Sequence, residues 1–291
     1  MRDSTVLPVL RMLPVSMLVS HEDVDPRRTE KLSQRLLDEG RLKNPPVVAS
    51  IPATDQFVIL DGANRAMAFV QMGIPHIVAQ VVSYADPGVV LDTWYHVVSG
   101  MPLAEFEERL IKVTGMQLDA CSLIEARQAL STNDAAAYII CASGVRVVRN
   151  SERHIHQLNG RSDSAPIFSA DIHLLNRICD AYKGRADIHR ASNDIWEIQT
   201  PYYPRITALV VFPRFTPSDI LSIALNGEKV PTGITRHIIS PRAININIPL
   251  GVLWAGWPIE QKEKWLHDWL MERMASNAIR YYAEATFTFD E

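Results

Sequence analysis

Residues 57–65 read Phe-Val-Ile-Leu-Asp-Gly-Ala-Asn-Arg, and the folding of these nine decides the architecture of the N-terminal part of the chain. Phe57 to Leu60 is a short apolar run after the polar turn Thr54-Asp55-Gln56, which predicts a strand. Arg65 to Met72 reads as a helix stopped by Gly73, so Asp61 to Arg65 is expected at a strand-to-helix turn. Such a turn aims free backbone N–H groups and the positive end of the helix dipole at whatever lies in front of it, which suits a phosphate. Asp61 is either a carboxylate at the mouth of a sheet, with Gly62 letting the backbone approach a ligand, or a helix N-cap. Arg65 suits a phosphate or carboxylate, or a surface ion pair.

Upstream, the sequence predicts a strand over Leu13 to Leu18, the loop His21-Glu22-Asp23, a helix from about Arg27 to Glu39 closed by Gly40, and a strand over Pro46 to Ser50. Downstream come a strand over Ile77 to Val82, the turn Asp86-Pro87-Gly88, and an extended run Val89 to Val98. A lobe boundary is placed near Gly100, dividing the chain into 1–100 and 101–291. Beyond it lie an amphipathic helix over Leu103 to Val113, a hairpin over Ala136 to Ala142 and Val145 to Val148, and a polar loop from Asn150 to Asp163. A helix to about Tyr182, a strand over Ile206 to Phe212 and a helix capped at Thr216 follow. An alternating strand over Ala243 to Ile248 and a long helix from Glu260 to about Tyr282 complete the chain. The fold class is α/β (α+β).

The 291 residues are 47% hydrophobic and 21% charged, an ordinary globular composition. A net charge of -4 gives no electrostatic argument for a polyanionic partner. Cys121, Cys141 and Cys179 form no CxxC pair and no zinc-spaced cluster, which fits a reducing cytoplasm and gives no metal ligand. Pro8, Arg11 and Pro14 interrupt the mildly apolar N-terminus, so no signal peptide and no membrane segment are read there.

Several residues suit chemistry. Glu22, in a loop directly after a strand, is placed to accept a hydroxyl proton, or is simply solvated. Thr235, Arg236 and His237 bring a hydroxyl, a guanidinium and an imidazole together as an anion clamp, with Thr235 and His237 on one face if a strand has begun. Trp94 and His96, two apart, suit one wall of a pocket or the core. His154 and His156 match no metal motif. No P-loop and no protein-kinase glycine loop occurs.

The ordered set His21-Glu22, Lys43-Asn44-Pro45-Pro46-Val47-Val48, Ile59 to Arg65 and Met72-Gly73-Ile74-Pro75 resembles the ParB/sulfiredoxin superfamily. With Thr93-Trp94-Tyr95-His96, Val230 to Leu250 and Ile279 to Glu284, the chain resembles more narrowly the free L-serine kinases of that fold. The resemblance implies a ParB/sulfiredoxin-like N-terminal lobe completed by a second mixed α/β lobe, and phosphorylation of L-serine to O-phospho-L-serine with ATP or ADP and Mg2+. It implies Glu22 as catalytic carboxylate and Asp61 as a second acid or holder of the metal–phosphate group. Gly62, Ala63, Asn64 and Arg65 would cradle the nucleotide phosphates. Thr235, Arg236 and His237, with Trp94 and His96, would bind serine and the transferred phosphate. Family members commonly carry histidine where this chain has Asn64. A ParB-like DNA-binding, nucleotide-responsive regulator is the alternative, opposed by the acidic net charge and by the lack of a basic helix-turn-helix pattern.

Overall fold

A computed structural model describes residues 7–151 and 169–282. His154, His156, Ala283 and Glu284 lie outside the described residues.

The N-terminal elements are β1 (Leu10–Pro14), β2 (Leu18–Ser20), α1 (Pro26–Glu39), β3 (Arg41–Leu42), β4 (Val47–Ser50), β5 (Phe57–Asp61), α2 (Ala63–Gln71) and β6 (His76–Val82). The strand expected over Leu13 to Leu18 is instead two short strands, because the chain turns through a 3-10 helix at Val15–Met17. All of these strands but β3 build a sheet of order β1-β6-β4-β5-β2, with β2 running parallel to β5. β5 alternates as its apolar run requires: Val58 and Leu60 enter a core shared with the second sheet, while Ile59 packs toward Ala66 of α2. The Asp25 carboxylate accepts from the N–H groups of Arg27 and Arg28 and opens α1, and Gly40 closes it at φ 64°.

The run expected over Val89 to Val98 is divided. β7 (Val89–Thr93) pairs with β14 (Thr235–Ile239), whereas β8 (Tyr95–Ser99) joins a six-stranded sheet. Between them Trp94 donates its N–H to the Ile234 carbonyl, 2.8 Å away, and the chain changes sheets at that residue. The second sheet, all antiparallel, contains β8, β9 (Met116–Cys121), β10 (Ala137–Cys141), β11 (Gly144–Asn150), β12 (Asp187–Ala191) and β13 (Ile206–Val211), in the order β12-β8-β13-β10-β11-β9. Its helices are α3 (Leu103–Ile111), α4 (Leu123–Ser131), α5 (Ser169–Asp180), α6 (Trp196–Gln199) and α7 (Pro217–Leu225). One continuous core joins Val47, Val58 and Leu60 of the first sheet to Val98, Ile139 and Val210 of the second and to Leu175 and Ile178 of α5.

The chain then returns to the first sheet through β15 (Ile248–Pro249), α8 (Leu250–Trp254) and α9 (Ile259–Ala275), whose Leu253 and Leu266 are buried with Met12, Leu42 and Phe69. Ala243 to Asn247 is not the expected strand. Asn245 and Asn247 take φ of 54° and 51°, and the Gln80 and Asn44 side chains accept from the Ala243 and Asn245 N–H groups that a sheet would have paired. The last helix also ends sooner than expected, at Ala275, with Asn277 at φ 53°, so Ile279 lies beyond it and is exposed. Among the described residues, no helix is long and apolar enough to cross a membrane.

Candidate active site

β2 and β5 are neighbouring parallel strands, so the residues that follow them, His21-Glu22 and Asp61-Gly62, emerge at the same edge of the sheet. Carboxyl ends of parallel strands are where open α/β sheets place ligands. Here two carboxylates arrive there with different surroundings.

Glu22 is laced to the segment before β14. Val230 donates its N–H to the His21 carbonyl at 2.9 Å, and Asp23 donates to the Val230 carbonyl at 3.1 Å. The Glu22 carboxylate then accepts from the Gly233 N–H at 2.8 Å, from the Thr235 N–H at 2.9 Å and from the Thr235 hydroxyl. Burial pushes the Glu22 carboxyl above the usual carboxylate range, against the pull of these donors and of the Arg190 guanidinium. The Thr235 hydroxyl donates its one hydrogen to ionised Glu22, so Thr235 Oγ1 in turn accepts from His21 Nε2 at 2.9 Å.

His237 lies on the Thr235 face of β14. Its Nε2 bonds the Tyr84 hydroxyl at 2.7 Å and its ring meets that of His21 edge-on at 5.5 Å. The Nδ1 atoms of His21 and His237 are buried and close no hydrogen bond. Burial holds both rings neutral, His21 at about 4 and His237 at about 3. Tyr84, raised by burial, keeps its proton and donates it to His237.

Asp61 Oδ2 takes both Arg65, at 2.8 Å, and Arg242. Although burial would raise its carboxyl, these two guanidiniums hold it below the usual range. Gly62 turns the chain into α2 at φ 91°; a Cβ there would fall 2.8 Å from Arg65 Nη2 and 3.0 Å from the Pro46 backbone. That combination demands glycine. Asn64 Oδ1 accepts from the Asp25 N–H and the Thr29 hydroxyl, both at 3.1 Å, so its oxygen braces the start of α1 and its amide NH2 is the end available to a ligand.

The structure thus brings Glu22, Thr235 and His237 together at one edge with Asp61, Gly62, Ala63, Asn64 and Arg65. It does not make one clamp of Thr235, Arg236 and His237. Arg236 alternates to the other face of β14, 4.2 Å over the Trp94 ring and 3.7 Å from Asp92. Between Trp94 and His96 the chain passes from the β7–β14 pair into the six-stranded sheet. His96 is 4% exposed, with Nδ1 on the Tyr182 hydroxyl at 2.8 Å and its ring edge-on to Phe212 at 4.9 Å. Tyr84, Arg190 and Arg242 were not singled out from the sequence; Arg242 lies within the Val230–Leu250 stretch that carried the resemblance, while Tyr84 and Arg190 stand in no motif.

No family model matches the chain. It is 27% identical over 256 residues to the ATP-dependent L-serine kinase of Staphylothermus marinus, covering 86% of this chain and 94% of that protein. It is 21% identical over 285 residues to the ATP-dependent L-serine kinase SbnI of Staphylococcus aureus, covering 97% of each. The solved structure of SbnI with a C-terminal truncation matches with a TM-score of 0.69 at 19% identity, over 91% of this chain and 97% of that one. A free serine kinase in complex with AMP matches at 0.67 and 17% identity, over 84% and 93%. The mixed α/β fold is therefore the one these proteins share, and the resemblance read from the sequence is the one the comparisons return.

Proposed function

We propose that this chain is a phosphotransferase with an alcohol acceptor, moving the terminal phosphoryl group of ATP, or of ADP, to the hydroxyl of free L-serine and releasing O-phospho-L-serine. The observation that carries the reading is the environment of Glu22: a carboxylate held by three donors at the mouth of a parallel strand pair, beside a glycine turn that opens a helix. The curated relatives named above are ATP-dependent L-serine kinases, and a structural neighbour is a free serine kinase in complex with AMP.

In this reading Glu22 takes the serine hydroxyl proton as the oxygen attacks the terminal phosphorus. The new P–O bond forms as the bond to the bridging oxygen breaks, and the shortened nucleotide leaves with that oxygen's electron pair. Phosphoryl transfer asks chiefly for alignment and charge neutralisation. The N–H groups at the start of α2, Arg65, Arg242 and the Asn64 amide meet the phosphates. A carboxyl raised by burial is better matched as a base near neutral pH than an ordinary surface glutamate.

Among the described residues, no group of three or more acidic, His or Cys side chains is gathered for a metal ion. The donor set still fits Mg2+ delivered with a nucleotide, which is commonly held by one or two carboxylates plus phosphate oxygens and water. Both arginines bond Asp61 through Oδ2, so Oδ1 would serve as the protein ligand. When bound, the ion would supply neutralisation of phosphate charge.

The test is phosphoserine formation from L-serine, Mg2+ and ATP or ADP, comparing wild type with Glu22→Gln. The expected result is product with wild type and a fall in kcat of about 10²- to 10⁴-fold in the variant. No product with either donor, or full activity in Glu22→Gln, rejects the reading or the base respectively.

A further inference from the structure

Serine carries a carboxylate only a few bonds from its hydroxyl, so a base at the hydroxyl leaves two negative groups close together. Unless a cation stands between them, they repel. The arginines already described stand elsewhere: Arg65 and Arg242 beside Asp61, on the phosphate side in the reading above, and Arg236 on Trp94 and Asp92.

Arg190 is different. It stands on β12, opposite His96 in the register with β8. Its guanidinium packs against Gly233, so closely that a Cβ at that glycine would fall 2.3 Å from Nη2 and 2.8 Å from Nε. The N–H of the same glycine lies 2.8 Å from Glu22 Oε2. The guanidinium is thus one peptide group away from the carboxylate, near enough for its charge to act on both Glu22 and His96. The Arg190 residue is exposed and makes no ion pair or hydrogen bond to a described residue.

We propose that Arg190 is the specificity anchor of this site, pairing with the α-carboxylate of the amino-acid acceptor whose hydroxyl Glu22 deprotonates. The assignment rests on the kinase reading above. A planar fork of donors suits a carboxylate better than a point charge does, and placed between Glu22 and the substrate's carboxylate it offsets their repulsion. Gly233 belongs to the same device, since any side chain there displaces the guanidinium.

The experiment compares kcat/KM for L-serine, L-serinamide and ethanolamine in the full chain, with wild type, Arg190→Ala and Arg190→Lys, and titrates L-serine calorimetrically into each. Serinamide and ethanolamine keep the hydroxyl and the amine but lack the carboxylate. Because each ratio is taken within one variant, any effect of Arg190 on Glu22 cancels. Wild type is expected to favour serine, and Arg190→Ala to lose about 10- to 100-fold on serine, mainly through KM, in line with a charged hydrogen bond. The two analogues should change little, and Arg190→Lys should recover part of the preference. An equal loss on all three acceptors, or unchanged serine binding and turnover, overturns the anchor while leaving the kinase reading intact. A wild type that neither binds nor phosphorylates serine removes both.

Discussion

Thr235 holds Glu22 twice through one carboxylate oxygen, with its backbone N–H at 2.9 Å and with its hydroxyl. The backbone contact survives any substitution that keeps β14. The hydroxyl contact does not, and it is the one that also receives His21 Nε2.

Thr235→Val separates the two. Losing the hydroxyl removes a bond that favours ionised Glu22, so the acid limb of the kcat/KM profile should move to higher pH. The buried His21 Nε2 loses its partner, which should cost about 1–3 kcal/mol in denaturant unfolding. An acid limb that stays in place would show that the hydroxyl does not set the protonation of Glu22.

Asp61→Asn leaves Arg65 and Arg242 without their shared carboxylate. Because Asp61 is 39% exposed, the stability change should be no more than about 1 kcal/mol. Turnover should fall by about 100-fold, as when one electrostatic element of a transition-state site is removed. Steady-state kinetics beside thermal unfolding distinguishes the two effects; wild-type turnover would detach Asp61 from the chemistry.

Gly62→Ala places a side chain at φ 91° against Arg65 and Pro46. We expect a loss of about 1–3 kcal/mol in stability and weaker nucleotide binding, measured by calorimetry with ADP. Unchanged affinity would mean that the turn does not meet the phosphates.

The buried imidazoles predict a pH dependence of stability. His21 and His96 are held at about 4 and His237 at about 3, whereas an unfolded histidine titrates near 6.5. Between about pH 6.5 and 4 the unfolded chain binds more protons, so stability is full above that window and is lost as pH falls through it. Each ring contributes on the order of 1.4 kcal/mol per pH unit there. Urea midpoints at pH 7 and pH 5 should differ less in His237→Gln than in wild type; equal differences would place His237 outside this linkage.

The strand, glycine turn and helix around Asp61 were legible because their signals are local: an apolar run, a glycine, and a helix stopped by Gly73. The same holds for α1, where Pro26 and Gly40 mark the ends, and for α7, which Thr216 and Pro217 open. The stretch Ala243 to Asn247 misled for the complementary reason. Its alternation is that of a strand, but its N–H groups are taken by Gln80 and Asn44, residues far away in the chain.

Local chemistry in the sequence determined which residues were able to act: Glu22 after a strand, Asp61 and Gly62 before a helix, a hydroxyl and an imidazole two apart in Thr235 and His237. Tertiary structure alone decided which of them meet. Pairing β14 with β7 sends Arg236 to Trp94 and leaves Thr235 and His237 on the face beside Glu22 and His21. The packing of the second sheet buries His96 against the Tyr182 hydroxyl, and packing Arg190 on Gly233 brings an arginine from a strand with no motif close to Glu22. Such contacts cross roughly 40 to more than 200 residues of chain, as His21 to Thr235 does over 214, so they depend on the packing of two sheets around one core and leave no pattern in any short window.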